Sequence, residues 1–229
     1  MPPLQTGVVT MARAMTYGPA DGATRSARRP AAAVRGGTMP RIARRTVLNV
    51  GCGYPLRKRL HKHFHGSEWF EVRLDIDPAV QPDILCSITD MRPVAAASVD
   101  AVWSSHNLEH VHHHEVPAAL GEFFRVLKPD GLLLLTVPDL QQVAELVVAD
   151  RLENPAYLSP SGPVTPLDMI FGHTPSLARG YPFMAHKTGF TRRSLHELLR
   201  ETGFVEVLVR RGGSFDLWAT ARKPGAEPL

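Results

Sequence analysis

Five short apolar segments within residues 47–137 constrain the fold more than any other feature of the chain. Each has four to seven mostly apolar residues without strict alternation, and turn-forming residues such as Gly, Pro, Asp or Ser lie around them. Strands that are covered on both faces of a parallel sheet have this pattern. The segments are residues 47–50, 72–76, 83–88, 99–104 and 131–137.

Two amphipathic segments predict helices. An apolar stripe at helical spacing runs through residues 116–127, and Lys128-Pro129-Asp130-Gly131 is expected to end that helix and turn into the fifth strand. A second helix is predicted to begin after Thr191 as its N-cap and to end at Gly203.

The last part of the chain predicts two closing strands, residues 205–209 and 215–221, joined as a hairpin. Together with the alternation of strands and helices, this predicts an α/β fold: a Rossmann-like, doubly wound, seven-stranded sheet with a C-terminal antiparallel hairpin. Residues 152–189 interrupt the alternation and contain Pro, Gly and His. Because so long a connection in a compact domain is usually functional, we expect a lid-like insertion.

The first 46 residues differ from the rest in charge and composition. They hold eight Arg and one acid, whereas the other 183 residues hold 18 basic and 21 acidic residues. Rich in Ala, Arg, Gly and Pro, residues 1–46 are predicted to be a disordered basic tail, and residues 47–229 the folded domain. An organelle transit peptide, or a start at Met39 instead of Met1, are the alternatives.

Composition also limits the partners and the compartment. The mildly acidic body gives no basic footprint, so no nucleic-acid partner is expected. No window approaches the ~20 apolar residues of a membrane span. Two cysteines, Cys52 and Cys86, are too few for a disulfide scaffold, which favours a cytoplasmic location. No sequence feature indicates an oligomeric state.

A glycine turn, Gly51-Cys52-Gly53, follows the first predicted strand. Its glycines allow a sharp bend and a close approach of the backbone to a ligand, although tight packing alone would also explain them. Leu56 stands where a dinucleotide-binding fingerprint needs Gly or Ala. The turn therefore argues against a pyrophosphate cradle.

Acidic residues follow the next two strands. Asp75 lies 24 residues after Gly51, where a carboxylate can accept hydrogen bonds from both ribose hydroxyls, and Asp90 is placed to accept from an adenine amino group. The plainer alternatives are a loop acid for Asp75 and a helix N-cap for Asp90. Because the carboxyl ends of parallel strands meet at one edge, the turn and both acids are expected in one crevice.

Several segments, in this order, resemble class I S-adenosylmethionine-dependent methyltransferases of the small bacterial type. The likeness covers residues 47–222. The segments that carry it are Asn49-Val50-Gly51-Cys52-Gly53, residues 74–77, 98–110 and 124–131, and then 186–191 and 203–204. The chain departs from the family pattern at Asn49, where an acid is frequent, and at Pro55, where a third glycine is frequent.

The resemblance implies S-adenosylmethionine as cofactor and assigns roles by position. The two glycines would pass beneath its methionine part, Asp75 would hold the ribose, and Asp90 with Met91 would flank the adenine. Ser105 and His106 would lie near the sulfonium. The implied cofactor-binding residues are Gly51, Cys52, Gly53, Asp75, Ile76, Asp90, Met91, Ser105 and His106.

Methyl transfer from a sulfonium requires alignment of the partners and exclusion of water more than a nucleophilic side chain. A base is needed only if the acceptor must lose a proton, and His106 and His186 are the predicted catalytic residues, with a structural hydrogen bond as the alternative. No metal site is predicted, because neighbouring histidines point in different directions and no cysteine pair accompanies them. The neighbouring histidines are His61, His63, His65, His110, His112, His113 and His114.

The sequence thus predicts methyl transfer to a small-molecule, sugar or lipid-precursor acceptor. A non-catalytic binding protein that retains the fold is one alternative. A nucleotide-dependent oxidoreductase is the other, and Leu56 and the terminal hairpin speak against it.

Overall fold

The computed structural model describes residues 44–54 and 60–225, and these build one mixed seven-stranded sheet and a separate two-stranded one. Most of the predicted tail, as well as Pro55 and Leu56, lies outside the described residues. The strands are β1 (Arg45–Val50), β2 (Trp69–Asp75), β3 (Ile84–Leu85), β4 (Val99–Ser105), β5 (Leu127–Pro138), β6 (Tyr157–Ser159), β7 (Gly162–Val164), β8 (Val205–Arg211) and β9 (Asp216–Arg222).

The large sheet has the strand order β3-β2-β1-β4-β5-β9-β8. Neighbours from β3 to β5 are parallel, whereas β9 runs antiparallel to both β5 and β8. This order confirms the predicted Rossmann-like α/β fold with its C-terminal antiparallel hairpin. It also brings the carboxyl ends of β1, β2 and β4 to one edge, where the cofactor residues were expected.

Most strands begin at a different residue from the one predicted: β2 begins at Trp69 rather than residue 72, and β9 at Asp216 rather than residue 215. β1 begins at Arg45 rather than Val47, because Arg45 pairs with Trp69 and the Thr46 N–H donates to Asp100 at 2.8 Å. The first strand therefore includes two residues that the composition assigned to the tail. β5 begins at Leu127, so the predicted turn before Gly131 is an irregularity within a strand.

The predicted third strand, residues 83–88, shortens to Ile84–Leu85. The Asp83 carboxylate accepts from the backbone N–H of Arg73 at 2.8 Å, and the Ser87 hydroxyl accepts from the Thr89 N–H at 3.2 Å. In both bonds a backbone N–H donates to a side-chain oxygen instead of to the backbone of a neighbouring strand, which limits the length of β3.

Helices cover one face of the sheet. The main core joins Leu120 and Phe123 of one helix, Leu195 and Leu199 of another, and Leu133 of β5, all fully buried. Each such side chain contributes about 1.5–3 kcal/mol by leaving water. The helices are α1 (Val116–Val126), α2 (Leu140–Val148), α3 (Pro166–Phe171), α4 (Thr174–Ala178) and α5 (Arg192–Glu201), and both predicted helices, α1 and α5, are present.

A second, smaller cluster is built around aromatic residues. Trp103 of β4 and Trp218 of β9 stack with ring centroids 6.0 Å apart, and the His61 ring lies 5.3 Å from Trp103. Phe64 completes the cluster from a 3₁₀ turn, Lys62–Phe64. In the described parts of the β1–β2, β2–β3 and β3–β4 connections there is no α-helix.

Residues 152–189 form a small folded unit with α2. Here β6 and β7 form a hairpin, and Val143 of α2 packs with Val164 and Met169 in a third cluster. The unit returns to the end of β5, where Phe190 pairs with Asp139. Within the described ranges, no helix has the length and apolar character needed to cross a membrane.

Candidate active site

The turn after β1 requires glycine at two positions. Gly51 and Gly53 have φ angles of +64° and +57°, in the left-handed region that glycine adopts at no steric cost. A Cβ on Gly51 would also lie 2.4 Å from Cγ of Asn107. The two glycines thus leave room at the carboxyl end of β1, and the Asn107 side chain packs against Gly51.

Asp75 fastens this turn from the end of β2. Its Oδ2 accepts from the Gly53 N–H at 2.8 Å, and its Oδ1 accepts from the Asp77 N–H at 3.0 Å. The residue is 9% exposed, whereas the neighbouring Ile76 is 47% exposed. The structure thus brings Gly53 and Asp75 into contact and leaves an apolar side chain accessible next to them.

Arg73 and Glu71 support the turn, and the sequence reasoning did not identify either of them. The Arg73 guanidinium donates to the carbonyl of Gly53 at 2.6 Å, and the Asn49 amide donates to the Glu71 carboxylate at 2.7 Å. The only signal in the sequence is that charged residues alternate within an otherwise apolar strand. Asn49, the departure from the family pattern, is thereby held beside a carboxylate.

Cys52 is a packing residue within the turn. It is 3% exposed, and its N–H donates to the Leu74 carbonyl at 3.2 Å. Burial raises the pKa of its thiol to about 11, so the thiolate is scarcely populated at neutral pH.

Asp90 and Met91 are placed less simply than predicted. The Asp90 carboxylate accepts from Arg92 at 2.8 and 3.0 Å on an exposed surface. Met91 has no exposed surface, because its side chain belongs to the main core. Its carbonyl accepts from Arg125 at 2.8 Å and its N–H donates to Glu122. The side chain of Met91 and both of its backbone polar groups therefore have partners within the protein.

Ser105 and His106 end β4 as expected. The Thr136 hydroxyl of the neighbouring strand donates to the Ser105 hydroxyl at 3.2 Å, and the His106 N–H donates to the Thr136 carbonyl at 2.9 Å. His106 has a φ of +47°, which is uncommon for a residue with a side chain. Its ring is 47% exposed at the edge where the glycine turn also lies.

A buried carboxylate, that of Glu109, lies behind His106. Its side chain is 1% exposed, and its Oε1 is 3.4 Å from Nδ1 of His106 and 3.9 Å from Nε2 of His186. Burial would raise the pKa of Glu109, but the surrounding histidines outweigh it and lower the pKa. Burial also opposes the charged form of His106, but Glu109 raises its pKa above the usual value. The sequence reasoning missed Glu109 as a functional residue.

His186 reaches the same place from the insertion. Its Nδ1 lies 2.9 Å from the Met169 carbonyl, and its side chain is 11% exposed. Burial lowers the pKa of this imidazole, although Glu109 opposes the shift. The structure therefore brings the two predicted catalytic histidines to one carboxylate, with both ring nitrogens of His186 facing protein atoms.

Comparison with known proteins agrees with this arrangement. Residues 48–135 match the family model of a methyltransferase domain. A malonyl-[acyl-carrier protein] O-methyltransferase from a Methylovorus species is 37% identical over 70 residues, which are 31% of this chain and 23% of that protein. The chain therefore matches about a quarter of that relative's length.

Solved structures show the same fold. An S-adenosylmethionine-dependent methyltransferase from Archaeoglobus fulgidus superposes with a TM-score of 0.51 at 15% identity, covering 80% of this chain and 87% of that one. A second, from Methanosarcina mazei, gives 0.53 at 17% identity, covering 80% and 94%. The strand order and the glycine turn thus give the chain the fold of the class I S-adenosylmethionine-dependent methyltransferases, and residues 48–135 match a methyltransferase domain.

Proposed function

We propose that this methyltransferase transfers the methyl group of S-adenosylmethionine to a small-molecule acceptor, such as a sugar or a lipid precursor, beside residues 152–189. The observation that carries the cofactor site is the contact between Asp75 and the glycine turn. This contact holds the nearly buried Asp75 carboxylate at the end of β2, where an acid can accept hydrogen bonds from ribose hydroxyls.

The residues around the turn fit the cofactor. Nδ2 of Asn107 is buried and has no hydrogen-bond partner among the described residues, although it lies against Gly51. An unsatisfied buried donor is costly, so a bound ligand with an acceptor group would satisfy it. Ile76 offers exposed apolar surface for a flat ring. We assign Asn107 and Ile76 to the cofactor on these grounds, with Asp90 as a further contact.

When bound, the cofactor supplies a methyl group on a positively charged sulfur, and loss of this methyl group leaves the sulfur as a neutral thioether. The task left to the chain is to align the acceptor and to exclude water. Ser105 and His106 lie at the edge where that alignment would occur. We propose that His106 accepts the proton of a hydroxyl acceptor, because its ring is exposed on one side and backed by Glu109 on the other. His186 is better placed to position the insertion.

The insertion presents apolar surface suited to an acceptor with an apolar part. Phe171 is 59% exposed, Phe183 47% and Met184 37%. Gly172 and Ala185 pair in an isolated antiparallel bridge, and the His186 N–H donates to the Phe171 carbonyl at 3.1 Å, so the segment that holds Phe171 lies beside the one that holds Met184. Exposed apolar groups that lie together frequently mark ligand grooves. This favours a lipid-like precursor over a plain sugar.

The direct test is transfer of radiolabelled methyl from S-adenosylmethionine to a panel of small hydroxyl and carboxyl compounds. With a hydroxyl acceptor, His106→Ala is expected to lower turnover about 100-fold or more, the usual contribution of a positioned base. The exposed His114 supplies the control variant His114→Ala, which should retain turnover. Normal turnover of a folded His106→Ala variant would contradict the assigned role.

A further inference from the structure

Glu109 is a buried carboxylate without a good partner. Neither of its oxygens accepts a well-formed hydrogen bond from a described residue, and the nearest imidazole nitrogens are 3.4 and 3.9 Å away. A carboxylate removed from water without compensation costs several kcal/mol, so buried carboxylates are paired or bind cations. A cation bound beside Glu109 would offset this cost.

Two imidazole rings are fixed so that each has one nitrogen without a hydrogen-bond partner among the described residues. His110 Nδ1 lies 3.0 Å from the Ala185 carbonyl, and His186 Nδ1 lies 2.9 Å from the Met169 carbonyl. A carbonyl can only accept, so in each neutral ring Nδ1 carries the proton and Nε2 the lone pair. Metal-binding histidines are oriented by bonds of this kind.

The three groups also converge. Glu109, His110 and His186 each offer one ligand atom, and these atoms lie within 4.8 Å of one another. The rings of His110 and His186 meet edge to face, with centroids 4.9 Å apart. Both histidines are only partly buried, so an ion has a path from solvent.

We propose that Glu109, His110 and His186 bind one divalent transition-metal ion of the zinc class. Two imidazole nitrogens and one carboxylate oxygen suit such an ion, whereas Mg²⁺ and Ca²⁺ prefer oxygen ligands. Three protein ligands leave a further position for water or another ligand. The site lies where the insertion meets the loop after β4, because the Lys187 N–H also donates to the Glu109 carbonyl at 2.8 Å.

This proposal reverses the sequence expectation that the chain has no metal site. The expectation considered neighbouring histidines, and the ones at His112, His113 and His114 are indeed exposed. The proposed ligands instead come from two segments that are distant in the chain. The fold brings His186 to Glu109, which no local spacing indicates.

The test uses the full chain without an affinity tag, treated with a chelator and titrated with Co²⁺ while visible absorption is followed. We expect saturable binding of one Co²⁺ per chain, displaced by Zn²⁺. His186→Gln should weaken this binding at least about 100-fold, since loss of an outer-shell partner alone costs 10–100-fold. His114→Ala and His196→Ala, both at exposed histidines, should bind like the parent chain.

Thermal unfolding supplies the second readout. Zn²⁺ should raise the melting temperature of the parent chain and of both controls, because an ion that binds only the folded state stabilises it. It should not raise that of His186→Gln or of His110→Asn. A folded parent chain without saturable Co²⁺ binding would overturn the proposal, whether or not the variants fold. Equal binding by His186→Gln would overturn it too and leave an adventitious ion only. Neither measurement needs the cofactor or the methyl acceptor. A negative result would therefore count against the metal site without counting against the proposed methyl transfer.

Discussion

At the scale of single residues, Asp75 combines two tasks. Its carboxylate fixes the glycine turn through the Gly53 N–H at 2.8 Å, and it is proposed to receive the ribose of the cofactor. Asp77, two positions further on, has a different task, because its Oδ1 accepts from the Ala79 N–H at 2.9 Å and caps the start of a short 3₁₀ turn. The two acids are therefore a matched pair in which one is proposed to touch the cofactor.

We expect Asp75→Ala to weaken binding of S-adenosylhomocysteine by about 1.5–3 kcal/mol, as for the loss of hydrogen bonds to a charged acceptor. Asp77→Ala should change the affinity much less. Calorimetric titration of both variants, with their melting temperatures as a check on folding, measures the difference. Equal affinities of the two folded variants would contradict the assignment of the ribose to Asp75.

The sequence correctly predicted the location of residues whose position along a strand decides their place. Gly51 follows β1, Asp75 and Ser105 are the last residues of β2 and β4, and parallel strands bring those ends to one edge. The prediction failed for groups that depend on side-chain direction. Met91 turned into the core, and Asn107 faced Gly51 from another loop. Periodicity carries no information about which way a loop side chain points.

At the scale of elements, the same contrast appears between α5 and the insertion. The start of α5 was predictable because Thr191 caps it by accepting from the Ser194 N–H, and Gly203 with a φ of +104° follows its end. The insertion was recognised only as an irregular segment. Its helices α3 and α4 have six and five residues, too short to show a helical period.

Asp168 holds the start of α3 and makes the insertion sensitive to acid. Its Oδ2 accepts from the Thr165 N–H at 3.0 Å and its Oδ1 from the Thr174 N–H at 2.9 Å. Burial alone would raise the pKa of this carboxyl, but the hydrogen bonds outweigh it and lower the pKa to about 2 from 3.8. The stabilising contribution is therefore complete above pH 3.8 and is lost as the pH falls towards about 2.

Asp168→Asn should accordingly lower the free energy of unfolding at pH 7 by about 1–2 kcal/mol, somewhat less than the full pKa difference. The loss should shrink below pH 4, because protonation weakens the parent chain in the same range. Urea unfolding between pH 2 and 7 measures both effects. Asp150→Asn, at an exposed position, is the control. A loss for Asp168→Asn that stays constant down to pH 2 would contradict the role of the carboxylate charge.

At the scale of the whole molecule, the sequence predicted a mostly parallel seven-stranded sheet with a closing hairpin, but neither the strand order nor the cover of its faces. The observed order is β3-β2-β1-β4-β5-β9-β8. The aromatic cluster of Trp103 and Trp218 belongs to two strands far apart in the chain. Such a pairing depends on strand neighbours, which the apolar runs themselves do not specify.

The basic N-terminal segment gives a prediction at this scale. The sequence of residues 1–38 shows no sustained apolar period, so their deletion is expected to leave folding and cofactor binding unchanged. The melting temperature and the affinity for S-adenosylhomocysteine of the shortened chain, beside those of the full chain, measure this. A clearly lower melting temperature would show that the segment contributes to the folded body.

Calorimetric titration of the full chain with S-adenosylhomocysteine tests whether the edge formed by the glycine turn and Asp75 binds S-adenosylmethionine. We expect saturable binding of one ligand per chain with a dissociation constant in the micromolar range, which is about 8 kcal/mol of binding free energy. A ligand that binds the folded state must also raise the melting temperature. A well-folded chain that shows neither heat nor a thermal shift at saturating ligand would contradict binding of the cofactor at this edge.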